Sequence, residues 1–93
     1  MSILFYSKEF CPFCKKLEDL LLEYSIPFKK VTPTKTEIDG IKNITKMTTF
    51  PMVMIGEECI GGYTEFYILL MTNGLEDKLK ENNIDIKVPT VFF

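Results

Sequence analysis

The chain has 93 residues, a formal net charge of −2 and 46% hydrophobic residues. That makes one domain, near the small end for a self-sufficient core. The charge balance excludes the strong basic field of a nucleic-acid binder, and no apolar run reaches the length of a membrane span.

Histidine, arginine, tryptophan, alanine and glutamine are absent, and every basic residue is lysine. The segment Met1 to Tyr6 is too short for a signal-peptide core and lacks a basic leader. The expectation is a soluble, cytoplasmic protein. In a reducing compartment, 3 cysteines point to catalytic rather than structural use of a pair.

Ile3 to Tyr6 is a short apolar run and predicts a buried strand. Ser7 to Phe10 turns into Cys11-Pro12-Phe13-Cys14. From Cys11 to Tyr24 the apolar residues Cys14, Leu17, Leu20, Leu21 and Tyr24 recur at helical steps, with charged residues between them. Ser25-Ile26-Pro27 ends this helix, since proline disfavours helical geometry in the residue before it. Phe28 to Val31 predicts a second strand, which completes a parallel βαβ unit. Thr36 to Lys46 predicts a second helix with Ile38, Ile41 and Ile44 on its apolar face, despite Gly40.

Met52 to Ile55 and Glu58 to Ile60 flank Gly56-Glu57 and predict a hairpin. After Gly61-Gly62, Thr64 is the expected N-cap of a third helix, closed by Asn73-Gly74. Leu75 to Lys80 predicts a last short helix. The order β-α-β-α-β-β-α-α builds an α/β domain over residues 1–82, a four-stranded mixed sheet flanked by helices. Residues 83–93 form an apolar, β-prone tail that either folds back on the domain, stays disordered, or docks as an added strand, with Pro89 limiting it to an edge.

The cysteine pair carries the chemistry. A thiol at a helix N-terminus meets unpaired N–H groups and the positive end of the dipole. Both favour the thiolate, which is the nucleophile. Residues i and i+3 lie roughly 5–6 Å apart on one helix face, within the range of a disulfide. Pro12 suits a first helical turn, where its missing N–H has no partner to lose.

Other uses of the pair fit less well. Zinc takes about four ligands, and only Cys59 remains as a further cysteine, so no metal is expected. A structural disulfide across so short a loop constrains the unfolded chain little. Lys8, Lys15 and Lys16 beside the thiol either favour the thiolate or form an ordinary solvated cluster. Cys59 is expected to pack as a small apolar residue.

Together, Lys8, Cys11-Pro12-Phe13-Cys14, Thr49-Phe50-Pro51 and Gly61-Gly62 at these spacings resemble the glutaredoxin family over about residues 2–82. The resemblance implies a thioredoxin-like fold and a glutathione-dependent thiol–disulfide oxidoreductase. It implies Cys11 as nucleophile and Cys14 as resolving thiol. It implies glutathione, the co-substrate, held by Lys8, Phe13, Thr49, Phe50, Pro51, Gly62, Tyr63 and Thr64, with a cis bond before Pro51. Partners would be disulfide-bonded or glutathionylated proteins, ribonucleotide reductase among them, and a monomer is expected.

Phe13 replaces the tyrosine of many members and loses its hydroxyl. Phe50 is bulkier than the usual valine. Many members place aspartate at the position read as Thr64, which predicts weaker glutathione affinity here unless Glu65 compensates. Lys42 and Lys46 read as solvated lysines, with a contact to the glycine carboxylate as the alternative. Two other functions stay open: a thioredoxin-like electron donor fed by a flavoprotein, and a carrier that shares an iron–sulfur cluster with glutathione.

Overall fold

The computed structural model describes residues 3–88. Its elements are β1 (Ile3–Tyr6), α1 (Pro12–Glu23), β2 (Phe28–Val31), α2 (Lys35–Thr45), β3 (Met52–Ile55), β4 (Glu58–Gly61), α3 (Tyr63–Met71) and α4 (Leu75–Glu81). The sheet order is β2-β1-β3-β4. β1 runs parallel to β2 and antiparallel to β3, and β3 and β4 form an antiparallel hairpin. The sheet is therefore mixed, as the order of predicted elements requires. Gly56 at the hairpin turn has φ +62°, the positive value that favours glycine there.

Strand alternation divides the side chains between two faces. Ile3 and Phe5 of β1 share one core with Val53 and Ile55 of β3. Over that face pack Leu17, Leu20 and Leu21 of α1, Phe66 and Leu70 of α3, and Leu75 and Leu79 of α4. On the other face α2 meets the sheet through Thr45, whose Oγ1 lies 3.3 Å from Met52 Sδ.

Ile44 does not join the apolar face of α2; it is 73% exposed. The reason is helical phase. From Ile38 and Ile41 the stripe continues at i+7, which is Thr45, and Ile44 falls outside it.

α1, α3 and α4 end in the same way. The residue after each C-cap is left-handed: Ser25 (φ 54°), Asn73 (φ 60°) and Asn83 (φ 58°). The next N–H then bonds back across the last turn: Ile26 to Leu21 O, Gly74 to Leu69 O and Ile84 to Leu79 O. α1 thus closes on its own backbone before Pro27 is reached, and Asn73 rather than Gly74 takes the left-handed position. The third helix also starts earlier than expected. Its N-cap is Gly62, and Thr64 lies inside the first turn.

The segment after α4 does not leave the domain at once. Ile84 is 4% exposed within the main core, and Ile86 and Val88 pack against it. Of the tail proposed as a docking strand, residues 84–88 take no strand conformation and fold back on the domain, and residues 89–93 lie outside the described residues.

Candidate active site

Cys11 is the N-cap of α1, in extended conformation, and its Sγ accepts the Cys14 N–H at 3.3 Å. This contact is the capping hydrogen bond that a helix start needs, supplied here by sulfur. Pro12 opens the helix, at the position where its missing N–H costs nothing. Cys11 and Cys14 form a disulfide, with Cα atoms 5.2 Å apart. Their environments differ. Cys11 is partly accessible, whereas Cys14 is 4% exposed against the core. Cys11 is therefore the sulfur that an external molecule can reach, and Cys14 lies behind it.

The lysines near the pair divide into different roles. Lys15 bonds Asp19 at 3.0 Å, and that carboxylate raises its pKa. Lys16 lies 5.1 Å from the Phe13 ring centroid, a cation–π contact. Lys8 lies 6.0 Å from the Phe50 ring centroid on the Cys11 side of the site. Of the expected cluster, Lys15 is thus paired at the surface, Lys16 sits over Phe13, and Lys8 lines the cleft that holds Cys11.

Phe13, Thr49, Phe50, Pro51, Gly62, Tyr63 and Thr64 converge on one groove of about 170 Å³. The elements explain the convergence. Phe13 sits in the first turn of α1, the Thr49–Pro51 segment leads into β3, and Gly62 to Thr64 start α3. These chain segments meet at one end of the sheet. The Phe50–Pro51 peptide bond is cis. A neighbouring cleft of about 450 Å³ holds Cys11 and Lys8 and shares Phe13, Thr49 and Phe50 with the groove. Lys8 is therefore apart from the groove itself and lines the cleft of Cys11. Cys11 Sγ lies 3.8 Å from the Phe50 carbonyl oxygen.

α3 presents its N-terminus to this groove. Its first intrahelical bond is Phe66 N–H to Gly62 O, so the Tyr63, Thr64 and Glu65 N–H groups precede the hydrogen-bonded ladder. The Gly62 N–H donates to Glu65 Oε1 at 2.6 Å. Gly61 makes room for that return: at φ +125° it carries no Cβ, which would lie 2.7 Å from Glu65 Cγ. Glu65, not Thr64, thus supplies the carboxylate of the groove. Tyr63 bridges Phe13 and Tyr67, with ring centroids 6.0 and 5.9 Å away, and forms an aromatic wall.

Met47 also lines the groove and was not legible as a site residue. Nothing in its neighbourhood marks it before the chain folds. Lys42 and Lys46 do not line the groove. Cys59 is half-buried, its Sγ 3.6 Å from Met47 Sδ, and burial pushes its thiol pKa up. Among the described residues no group of three or more histidine, cysteine or acidic side chains is placed to hold a metal ion.

An accessible and a buried cysteine at a helix N-terminus, on a four-stranded mixed sheet, define a thioredoxin-like thiol–disulfide oxidoreductase. A family model described as glutaredoxin matches residues 3–60. Glutaredoxin-1 of Sus scrofa is 37% identical over 74 residues, covering 69% of this chain and 68% of that protein. Glutaredoxin-2 of Schizosaccharomyces pombe is 33% identical, covering 87% and 81%. A wheat glutaredoxin crystal structure superposes with a TM-score of 0.74 at 28% identity, covering 87% of this chain and 81% of that one. A buckwheat glutaredoxin–glutathione complex shares the fold, with a TM-score of 0.75 at 20% identity, covering 90% and 82%. The chain belongs to the glutaredoxin family and is an oxidoreductase of that class.

Proposed function

We propose that the protein reduces glutathionylated and disulfide-bonded proteins with glutathione as electron donor. The Cys11 thiolate attacks the glutathionyl sulfur of a mixed disulfide. The old S–S bond breaks and the protein thiolate leaves. A second glutathione thiolate then attacks the glutathionyl sulfur of that intermediate, the Cys11 thiolate leaves, and oxidised glutathione is released with the enzyme restored. With a protein disulfide, Cys11 attacks first. Cys14 then displaces the substrate from Cys11, leaving the Cys11–Cys14 disulfide for glutathione to reduce.

One observation carries this reading: the groove of Phe13, Thr49–Pro51 and Gly62–Thr64 shares Phe13, Thr49 and Phe50 with the cleft that holds Cys11. A tripeptide lying in it would pair its backbone with Phe50, set its γ-glutamyl carboxylate at the α3 N–H groups, and set its ammonium near Glu65. Lys8 would face the glycine carboxylate and favour the Cys11 thiolate. Lys42 and Lys46 remain solvated. The same reading makes the protein a cytoplasmic monomer, with ribonucleotide reductase one acceptor to assay.

The test is glutathione-dependent turnover of the cysteine–glutathione mixed disulfide by wild type, Cys11→Ser and Cys14→Ser. Cys11→Ser is expected to be inert and Cys14→Ser active. A wild type inert with glutathione but reduced by a flavoprotein reductase would replace this reading with the thioredoxin-like one.

A further inference from the structure

Phe10, the residue before the nucleophile, is 98% exposed. Its φ is +56°, a left-handed conformation rare for a bulky side chain. Folding does not account for the ring. A fully solvated phenylalanine buries nothing, and asparagine tolerates this backbone conformation better. The position matters instead. Phe10 borders both clefts that meet at Cys11: the one leading to the glutathione groove, and one of about 540 Å³ that reaches Cys14, Lys15 and Lys30.

That second cleft has both charged and apolar lining: Lys8 lines it, Lys15 is paired with Asp19 at 3.0 Å and Lys30 with Glu18 at 3.3 Å. Phe10 and Pro12 supply its apolar wall. A polypeptide advances about 3.3 Å per residue when extended. A half-cystine held at Cys11 Sγ therefore sets the side chains next to it in sequence against Phe10.

We infer that Phe10 is a specificity residue for protein disulfides, favouring a half-cystine flanked by aliphatic or aromatic side chains. The occupant of the surface is that flanking segment of the substrate polypeptide. In the step it serves, the Cys11 thiolate bonds the half-cystine sulfur, the substrate S–S bond breaks, and the other substrate sulfur leaves as thiolate. Cys14 then attacks Cys11 Sγ and the second substrate thiolate leaves. The substrate gains two electrons, the enzyme loses two, and solvent protonates the products. The inference rests on thiol–disulfide exchange at Cys11 and not on the identity of the reductant.

Pre-reduced wild type, Phe10→Asn and Phe10→Leu are mixed with two matched peptide disulfides, one with leucine and one with serine flanking the half-cystines. Second-order rates are compared with iodoacetamide alkylation of Cys11 and with turnover of the cysteine–glutathione disulfide. Wild type should prefer the leucine peptide. Phe10→Asn should lose about tenfold on it, the effect of one aromatic side chain partly buried on the partner. Its rates on the serine peptide and with iodoacetamide should stay within about twofold, and Phe10→Leu should keep most of the preference. A wild type with no leucine preference overturns the inference. So does an equal loss on both peptides and in alkylation, which would place the effect on Cys11 itself. A retained preference in an enzyme inert toward the cysteine–glutathione disulfide supports the inference and removes the glutathione reading alone.

Discussion

Replacing Glu65 with glutamine separates the two tasks its carboxylate performs. The side chain accepts the Gly62 N–H at 2.6 Å, and it lines the groove. Glutamine keeps the length and a carbonyl acceptor, so the hydrogen bond survives without its charge. A negative group in the first turn of a helix contributes about 0.3–1 kcal/mol through the dipole. A charge-assisted hydrogen bond is roughly twice as strong as a neutral one. The expected loss of stability is therefore about 0.5–1 kcal/mol, or about 2–8 °C in Tm for a domain of this size. On the proposed reading, the second task is to face the ammonium of glutathione across an open, solvent-screened groove. That contact is worth about 1 kcal/mol after screening, which corresponds to a rise of about fivefold in KM for glutathione. The assay is turnover of the cysteine–glutathione mixed disulfide over a range of glutathione, with thermal unfolding alongside and the alkylation rate of Cys11 as the control. A lowered Tm with unchanged KM would refute the reasoning, because the carboxylate would then act only as a helix cap.

Ile84→Ala should destabilise the fold by about 2–3 kcal/mol, since a core isoleucine is truncated beyond the last helix. Urea unfolding checks it, and a midpoint shift below about 0.5 M would remove Ile84 from the core. Cys59 should alkylate several-fold more slowly than an ordinary thiol in the oxidised protein at neutral pH, because burial raises its pKa and lowers its thiolate fraction. An equal rate in the folded and urea-unfolded protein would contradict this. Glu58 has a lowered pKa, chiefly from its hydrogen bond to Lys78 at 2.7 Å. Its contribution to stability is present above the ordinary carboxylate pKa and is lost as pH falls through the lowered value. Lys78→Met should move the Glu58 titration upward in an NMR pH series, and an unmoved titration would rule out the pairing.

Much of the architecture was legible because its signals are local. Alternation and helical phase place β1, α1 and the hairpin within a residue or so of their observed bounds, and the order of elements already demands a mixed sheet. The Cys11-Pro12-Phe13-Cys14 chemistry depends on one helix end, so it too can be read along the chain. Helix termini were harder. Proline and glycine are conspicuous signals, but Ser25, Asn73 and Asn83 take the left-handed positions, and the N–H of the residue after each closes the helix. At α1 and α4 that following residue, Ile26 and Ile84, also enters the core, a contact the local sequence does not display.

The sequence by itself determined the cysteine pair at a helix start, the direction of that first helix and the family of chemistry, since each rests on neighbours in the chain. Only the tertiary structure decided which cysteine is accessible, that Glu65 rather than Thr64 gives the groove its carboxylate, that Met47 joins the groove, and that Phe10 stands in solvent between two clefts. Those properties arise where segments remote in sequence meet at one end of the sheet, and exposure and distance exist only once they have met.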